Sequence, residues 1–143
     1  MKLIAFISLL VLVAGCARST IETRKQERYE AYAGLGEETR RLVDAGKIQV
    51  GMPPDAVYIA WGKPSEILEG ESAQGHITTW LYYGTHFEEI RYWSYRPVHY
   101  QHYYPYHEPY LRYDYLPRSY VQAEVSFENG MVKNWQMLPR PTY

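Results

Sequence analysis

The chain has 143 residues, 46% of them hydrophobic, with a formal charge of −1 at pH 7 and a single cysteine. That length fits one small domain with a tether and argues against two. A near-neutral balance gives no bulk attraction for nucleic acid, and a lone cysteine excludes an intrachain disulfide or a cysteine-rich zinc site.

Residues 1–15, MKLIAFISLLVLVAG, set Lys2 before an apolar run from Leu3 to Ala14. The run is shorter than the roughly 20 residues that a helical bilayer span requires, so the segment reads as a secretory signal peptide. Val13-Ala14-Gly15-Cys16 resembles the lipobox of bacterial lipoproteins. The resemblance implies cleavage between Gly15 and Cys16 and acylation of Cys16, and acyl chains stabilise membrane association by about 0.8 kcal/mol per buried methylene. Ala17 stands where enteric lipoproteins kept in the inner membrane carry aspartate, which implies the outer membrane, with the domain facing the periplasm.

From Arg18 to Tyr32 the sequence RSTIETRKQERYEAY is charge-rich and shows no wide apolar stripe. Residues 16–36 therefore read as a lipidated N-terminus and solvated, partly helical tether, with the domain proper over 37–143. In EETRRLVDAGKI the acids lead, Leu42, Val43 and Ile48 are the apolar residues, and Gly46 is placed to stop a helix over about Glu37 to Ala45.

VGMPPDAVYIAWGKPSE, Val50 to Glu66, contains glycines and a lysine that invite comparison with a phosphate-binding loop. Such a loop needs a Ser or Thr after its Gly-Lys, yet Pro64 follows Gly62-Lys63, and Pro53 and Pro54 remove two amide donors. A short helix fits better. Prolines suit its first turn, Asp55 complements its positive end, Val57, Ala60 and Trp61 share a face, and Gly62 and Pro64 end it with a left-handed cap.

SEILEGES and HITTWLYYG then read as strands joined by a hairpin over Ala73, Gln74 and Gly75, with Ile77, Thr79, Leu81 and Tyr83 on one face and Trp80 and Tyr82 on the other. In VQAEVSFE, the residues Val121, Ala123, Val125 and Phe127 alternate inward. After it, a three-residue loop with Gly130 in a bulge would pair Phe127 with Met131 and Ala123 with Trp135, gathering the apolar residues on one face.

Gly51, Met52, Val57, Gly62 and Pro64, in the order V-G-M, helix, G-K-P, resemble the signature of the SmpA/OmlA (BamE-like) outer-membrane lipoprotein family. The resemblance covers about Glu37 to Tyr83 and resumes near Tyr120. It implies an α+β fold, two short helices packed on a three-stranded antiparallel sheet. It also implies a non-catalytic, lipid-anchored adaptor with no cofactor, whose partners are envelope proteins and the β-barrel assembly machinery. Pro53 stands where the family commonly has Ser or Thr, and this chain adds a long insert, at about 85–119, where the family connection is short.

That insert is dense in Tyr, His and Pro, and its repeated prolines favour an extended loop, with an added hairpin left open, over a central strand or long helix. Three readings stay open: aromatics that cover the sheet or each other, a binding surface, and a metal site. Tyr92, Trp93, Tyr95, Tyr103, Tyr104, Tyr106 and Tyr110 would form the surface, since tyrosine offers large contact area with a polar tip. His99, His102 and His107, with Glu108, are weak metal candidates without a recognised spacing. A ligand-binding module, in which the insert recognises glycan, peptidoglycan or metal, is the alternative to the adaptor. No Ser-His-Asp or Cys-His motif is visible, and Glu88 with Glu89 reads as a solvated acidic pair.

Overall fold

The computed structural model describes residues 19–73, 75–98 and 106–142. Gly15, Cys16, His99, His102, Tyr103 and Tyr104 lie outside these residues. Among these residues four short helices, α1 (Ile21–Glu27), α2 (Tyr29–Ala33), α3 (Glu37–Asp44) and α4 (Pro54–Trp61), precede four strands, β1 (Glu66–Ser72), β2 (Gly75–Val98), β3 (Tyr106–Glu128) and β4 (Met131–Met137). The strands form one antiparallel sheet in the order β1-β2-β3-β4. The α+β class holds, and the described residues contain two more helices and one more strand than expected.

The expected helices α3 and α4 are present, α3 ending one residue before its anticipated bound and α4 lying between its proline start and Gly62 stop signals. Gly62 closes α4 with φ +90° and ψ −170°, which is not the left-handed cap but an extended mirror-image conformation that only glycine adopts readily. Ala56, Val57, Ile59 and Ala60 are all buried, a wider stripe than Val57, Ala60 and Trp61. The reason is that α4 is covered twice. Val125 and Phe127 of β3 and Val132 of β4 join it in the core, together with Val43, Ile48 and Met52, while α1 and α2 pack against it as well.

The segment read as a tether is therefore structured as part of the domain. Thr20 and Thr23 form a reciprocal capping box at the start of α1. Arg24, only 7% exposed, reaches under the C-terminal end of α4. Its Nε donates to the Ile59 carbonyl at 2.8 Å and its Nη2 to the Ala60 carbonyl at 3.1 Å, while Nη1 donates to the Ser19 carbonyl at 2.7 Å. The guanidinium thus supplies donors to helix-end carbonyls that have no partner within the helix. Tyr82 reinforces this corner by donating its hydroxyl to the Gly62 carbonyl at 3.1 Å, and burial pushes the pKa of its phenol well up.

Motif residues Gly51 and Met52 couple the helices to the far side of the sheet. The Gly51 amide donates to the Val132 carbonyl at 2.8 Å and the Val132 amide to the Met52 carbonyl at 2.9 Å. Met52, Val57, Gly62 and Pro64 are buried. Their common task in this structure is to seat α4.

Two details of the sheet correct the sequence expectations. Asn129 (φ 52°) and Gly130 (φ 75°) make a two-residue turn that pairs Glu128 with Met131 and Phe127 with Val132, not Phe127 with Met131. The bulge falls one pair later, at Lys133, so that Val125 meets Trp135 and Ala123 meets Met137. Apolar residues still collect on the helix side. A second irregularity places Tyr82 opposite Ala123 but Tyr83 opposite Val121, which turns Val121 away from the inward set formed by Ala123, Val125 and Phe127.

Replacing Arg24 by Ala should lower unfolding free energy by about 2–4 kcal/mol, because charge-assisted bonds are lost and buried carbonyls are stranded. Arg24→Lys should recover less than half of the loss, since an ammonium on a flexible stem does not reproduce the planar fork. Urea denaturation measures both; a change within about 0.5 kcal/mol for Arg24→Ala would contradict the role given to this residue.

Candidate functional site: the aromatic face of a protruding ribbon

The described residues of the insert form a strand pair, so the added hairpin and not the extended loop is what they adopt. Beyond the reach of β1, which ends opposite Leu81, and of β4, which ends opposite Ala123, β2 and β3 continue alone. Gly84 pairs with Tyr120, and the register runs without slip to Val98 opposite Tyr106. At about 3.3 Å per residue this two-stranded ribbon extends roughly 45 Å from the body of the domain.

The prolines that argued against strands are placed where strands tolerate them. Pro97, Pro109 and Pro117 face His107, Tyr95 and Phe87, and all of these positions are odd-numbered. Pairs in an antiparallel ribbon alternate between hydrogen-bonded and non-hydrogen-bonded, and a proline fits the second kind, where an N–H would point outward to solvent. Tyr83 shows the same outward direction on β2, since its amide donates to Ser65 Oγ at 3.1 Å.

Alternation gives the ribbon two unlike faces. Even-numbered positions carry a laced set of polar pairs: Arg96 with Glu108 at 2.8 Å, Glu88 with Arg118 at 2.8 Å, and Tyr92 with Asp114. Arg96 also lies over Tyr110, and Arg112 over Tyr92, with cation-to-ring distances of 5.9 Å. These cross-strand pairs stabilise the ribbon where no third strand does. Hydrogen bonding to the Asp114 carboxylate raises the Tyr92 pKa.

Every odd-numbered residue from Thr85 to Pro97 and from His107 to Ser119 is exposed. The group includes Phe87 (61%), Trp93 (67%), Tyr95 (64%), Leu111 (39%), Tyr113 (50%) and Tyr115 (61%). Exposed apolar residues are ordinary when scattered, but an aligned set of aromatics on one side of a projecting element marks a contact surface. Arg91 lies over the Tyr113 ring at 5.7 Å and pairs with Glu89 at 2.6 Å, and Glu89 accepts from the Tyr115 hydroxyl at 3.2 Å. That arrangement lowers the Glu89 pKa, chiefly through the Arg91 bond, and raises that of Tyr115 through its bond to Glu89.

The structure sorts the anticipated surface residues into separate sets. Trp93 and Tyr95 belong to the exposed aromatic face; Tyr92, Tyr106 and Tyr110 occupy even positions on the other. Phe87, Leu111, Tyr113 and Tyr115 were missed, although the spacing of Phe87, Trp93 and Tyr95 in FEEIRYWSY is even and strand-like. His107 and Glu108 are neighbours on one strand and face opposite sides, with Glu108 engaged by Arg96. Among the described residues no three His, Cys, Asp or Glu side chains gather as a metal site requires. Glu88 and Glu89 likewise face opposite sides, paired to Arg118 and Arg91.

No family model, curated protein or solved structure matches the chain.

Gly84 marks the root of the ribbon. A Cβ there would stand 2.8 Å from Cε1 of Tyr120, whose ring lies across the glycine from the opposite strand. Gly84→Val should displace that ring and cost about 1–3 kcal/mol through overpacking. Thermal unfolding should show it, and a Tm unchanged within error would mean that the Tyr120 ring is not seated on Gly84.

Proposed function

We propose that this protein is a lipid-anchored, non-catalytic adaptor of the bacterial outer membrane. It faces the periplasm and is accessory to outer-membrane protein assembly or envelope integrity. The lipobox ending at Cys16 and the V-G-M…G-K-P signature, which resembles that of SmpA/OmlA (BamE-like) lipoproteins, support the anchor and the setting. The observation that carries the adaptor role is the exposed aromatic face of the ribbon. Tyrosine and tryptophan held on a paired backbone bring large contact area at low entropic cost, which suits protein partners.

The anchor and the ribbon divide the work. Cys16 precedes the helix cap Thr20 by four positions, so at most about 14 Å of extended chain separates the acylated residue from the packed domain. With α1 and α2 folded into the domain, reach comes from the ribbon and not from a tether. An anchored domain that stays beside the bilayer projects Trp93, Tyr95 and Tyr113 toward envelope proteins.

A crosslinking pull-down from membranes tests this, comparing the parent with a Trp93→Ser, Tyr95→Ser, Tyr113→Ser triple variant. Because all three side chains are at least half exposed, the variant should unfold within about 1 kcal/mol of the parent. Capture of envelope proteins should fall by about tenfold or more, as expected when aromatic anchors are removed from an interface. Equal capture by parent and variant would contradict the reading. Retention on peptidoglycan, with no envelope protein recovered, would replace it with glycan recognition.

A further inference from the structure

We propose that a second copy of this chain docks on the open edge of β2, antiparallel and about a two-fold axis at Ile90. A ribbon of two strands has two outer edges, and here they differ. The edge of β3 is interrupted by Pro109 and Pro117, at positions whose amides would face outward. The edge of β2 carries no proline from Thr85 to Tyr95. Among the described residues, the outward amides of Thr85, Phe87, Glu89, Arg91, Trp93 and Tyr95 donate to no acceptor.

This window has sharp limits. At one end Tyr83 has its amide taken by Ser65, where β1 begins. At the other, Pro97 has no amide to offer. Midway between them is Ile90. A two-fold axis there lays the whole window of one copy against the whole window of the other.

The side chains choose the same register. With Ile90 opposite the second copy's Ile90, Arg91 faces the second copy's Glu89 and Glu89 faces the second copy's Arg91. Trp93 then faces Phe87 across the edge, and Tyr95 faces Thr85. All of these are hydrogen-bonded pairs, because odd-numbered residues carry the outward amides and carbonyls. Moving the register by one pair in one direction sets Arg91 on Arg91, and in the other Glu89 on Glu89. Like charges directly opposite are destabilising, so the axis at Ile90 alone combines charge complementarity with aromatic pairing. The contact is isologous and closed, as most homodimers are. It joins the two aromatic faces into one four-stranded platform carrying both copies of Phe87, Trp93 and Tyr95. Dimerisation through this edge follows from register and does not depend on the adaptor role.

Cysteine crosslinking on the full chain in membranes tests the axis. Ile90→Cys places two thiols in a non-hydrogen-bonded pair, with Cα atoms about 4.5 Å apart, within disulfide range. Ser94→Cys places them about 26 Å apart, eight residues out of register. Mild oxidation should convert most of the Ile90→Cys chain to dimer and leave Ser94→Cys at the level of the parent, which sets the background. Equal crosslinking by the two variants, or none above the parent, overturns the proposal. Arg91→Glu gives an independent arm that needs no thiol: the amine-crosslinked dimer should fall about tenfold and return in Glu89→Arg, Arg91→Glu, where the charges are exchanged. A dimer fraction unchanged by the single substitution, or not recovered in the double, also overturns it.

Discussion

The unbroken register between β2 and β3, from Gly84 opposite Tyr120 to Val98 opposite Tyr106, is the constraint on which the exposed half of the molecule depends. It decides which side chains share a face, since a slip of one residue would exchange the two sides of a strand. With this register, Phe87, Trp93, Tyr95, Leu111, Tyr113 and Tyr115 stand together, and Arg96, Glu108, Arg118 and Glu88 stand together behind them. It also sends each proline to an outward position. The same parity that lets the ribbon contain prolines leaves one edge blunted and the other open.

At its base the ribbon grows from a small domain whose centre is α4. This helix is short, eight residues, and would be marginal alone. Packing on two sides stabilises it, the sheet through Val125, Phe127 and Val132 and the N-terminal helices through Arg24. The guanidinium is well suited because its several N–H donors, fixed in one fork, reach two adjacent helix-end carbonyls at once. Gly51 and Met52, bonded to Val132, tie the start of the helix to β4. Fixing α4 against β3 and β4 in turn holds the lower ends of the two long strands, and so the root of the arm.

The parts legible in the sequence were those with local signals. Acids at the start and Gly46 at the end delimited α3; prolines and Gly62 delimited α4; strict alternation gave the inward set Ala123, Val125 and Phe127. Residues 21–33 were misread because the group they bury is an arginine, which hydropathy scores as solvent-facing. The ribbon was legible only as an optional hairpin on an extended loop, because prolines are judged by their presence. Whether they break a strand depends on the partner residue and the parity of the pair, neither of which is written locally. For the same reason, aromatic density pointed to the right segment but not to the right face: Tyr92 and Tyr110 were grouped with Trp93, and Tyr113 and Tyr115 were left out.

The aromatic face and the open edge both depend on the ribbon, and its direct test is a nuclear Overhauser experiment on the isotopically labelled protein. In non-hydrogen-bonded antiparallel pairs the backbones come closest, with Cα atoms about 4.5 Å apart. Strong Hα–Hα contacts should therefore join Arg91 to Tyr113 and Trp93 to Leu111, with none between Tyr92 and Arg112, which occupy a hydrogen-bonded pair. Finding these contacts would establish both the strand pairing and the assignment of the aromatic residues to one face. Contacts between Tyr92 and Arg112 in their place, or random-coil shifts throughout residues 85–98, would contradict the register and with it the aromatic face and the open edge.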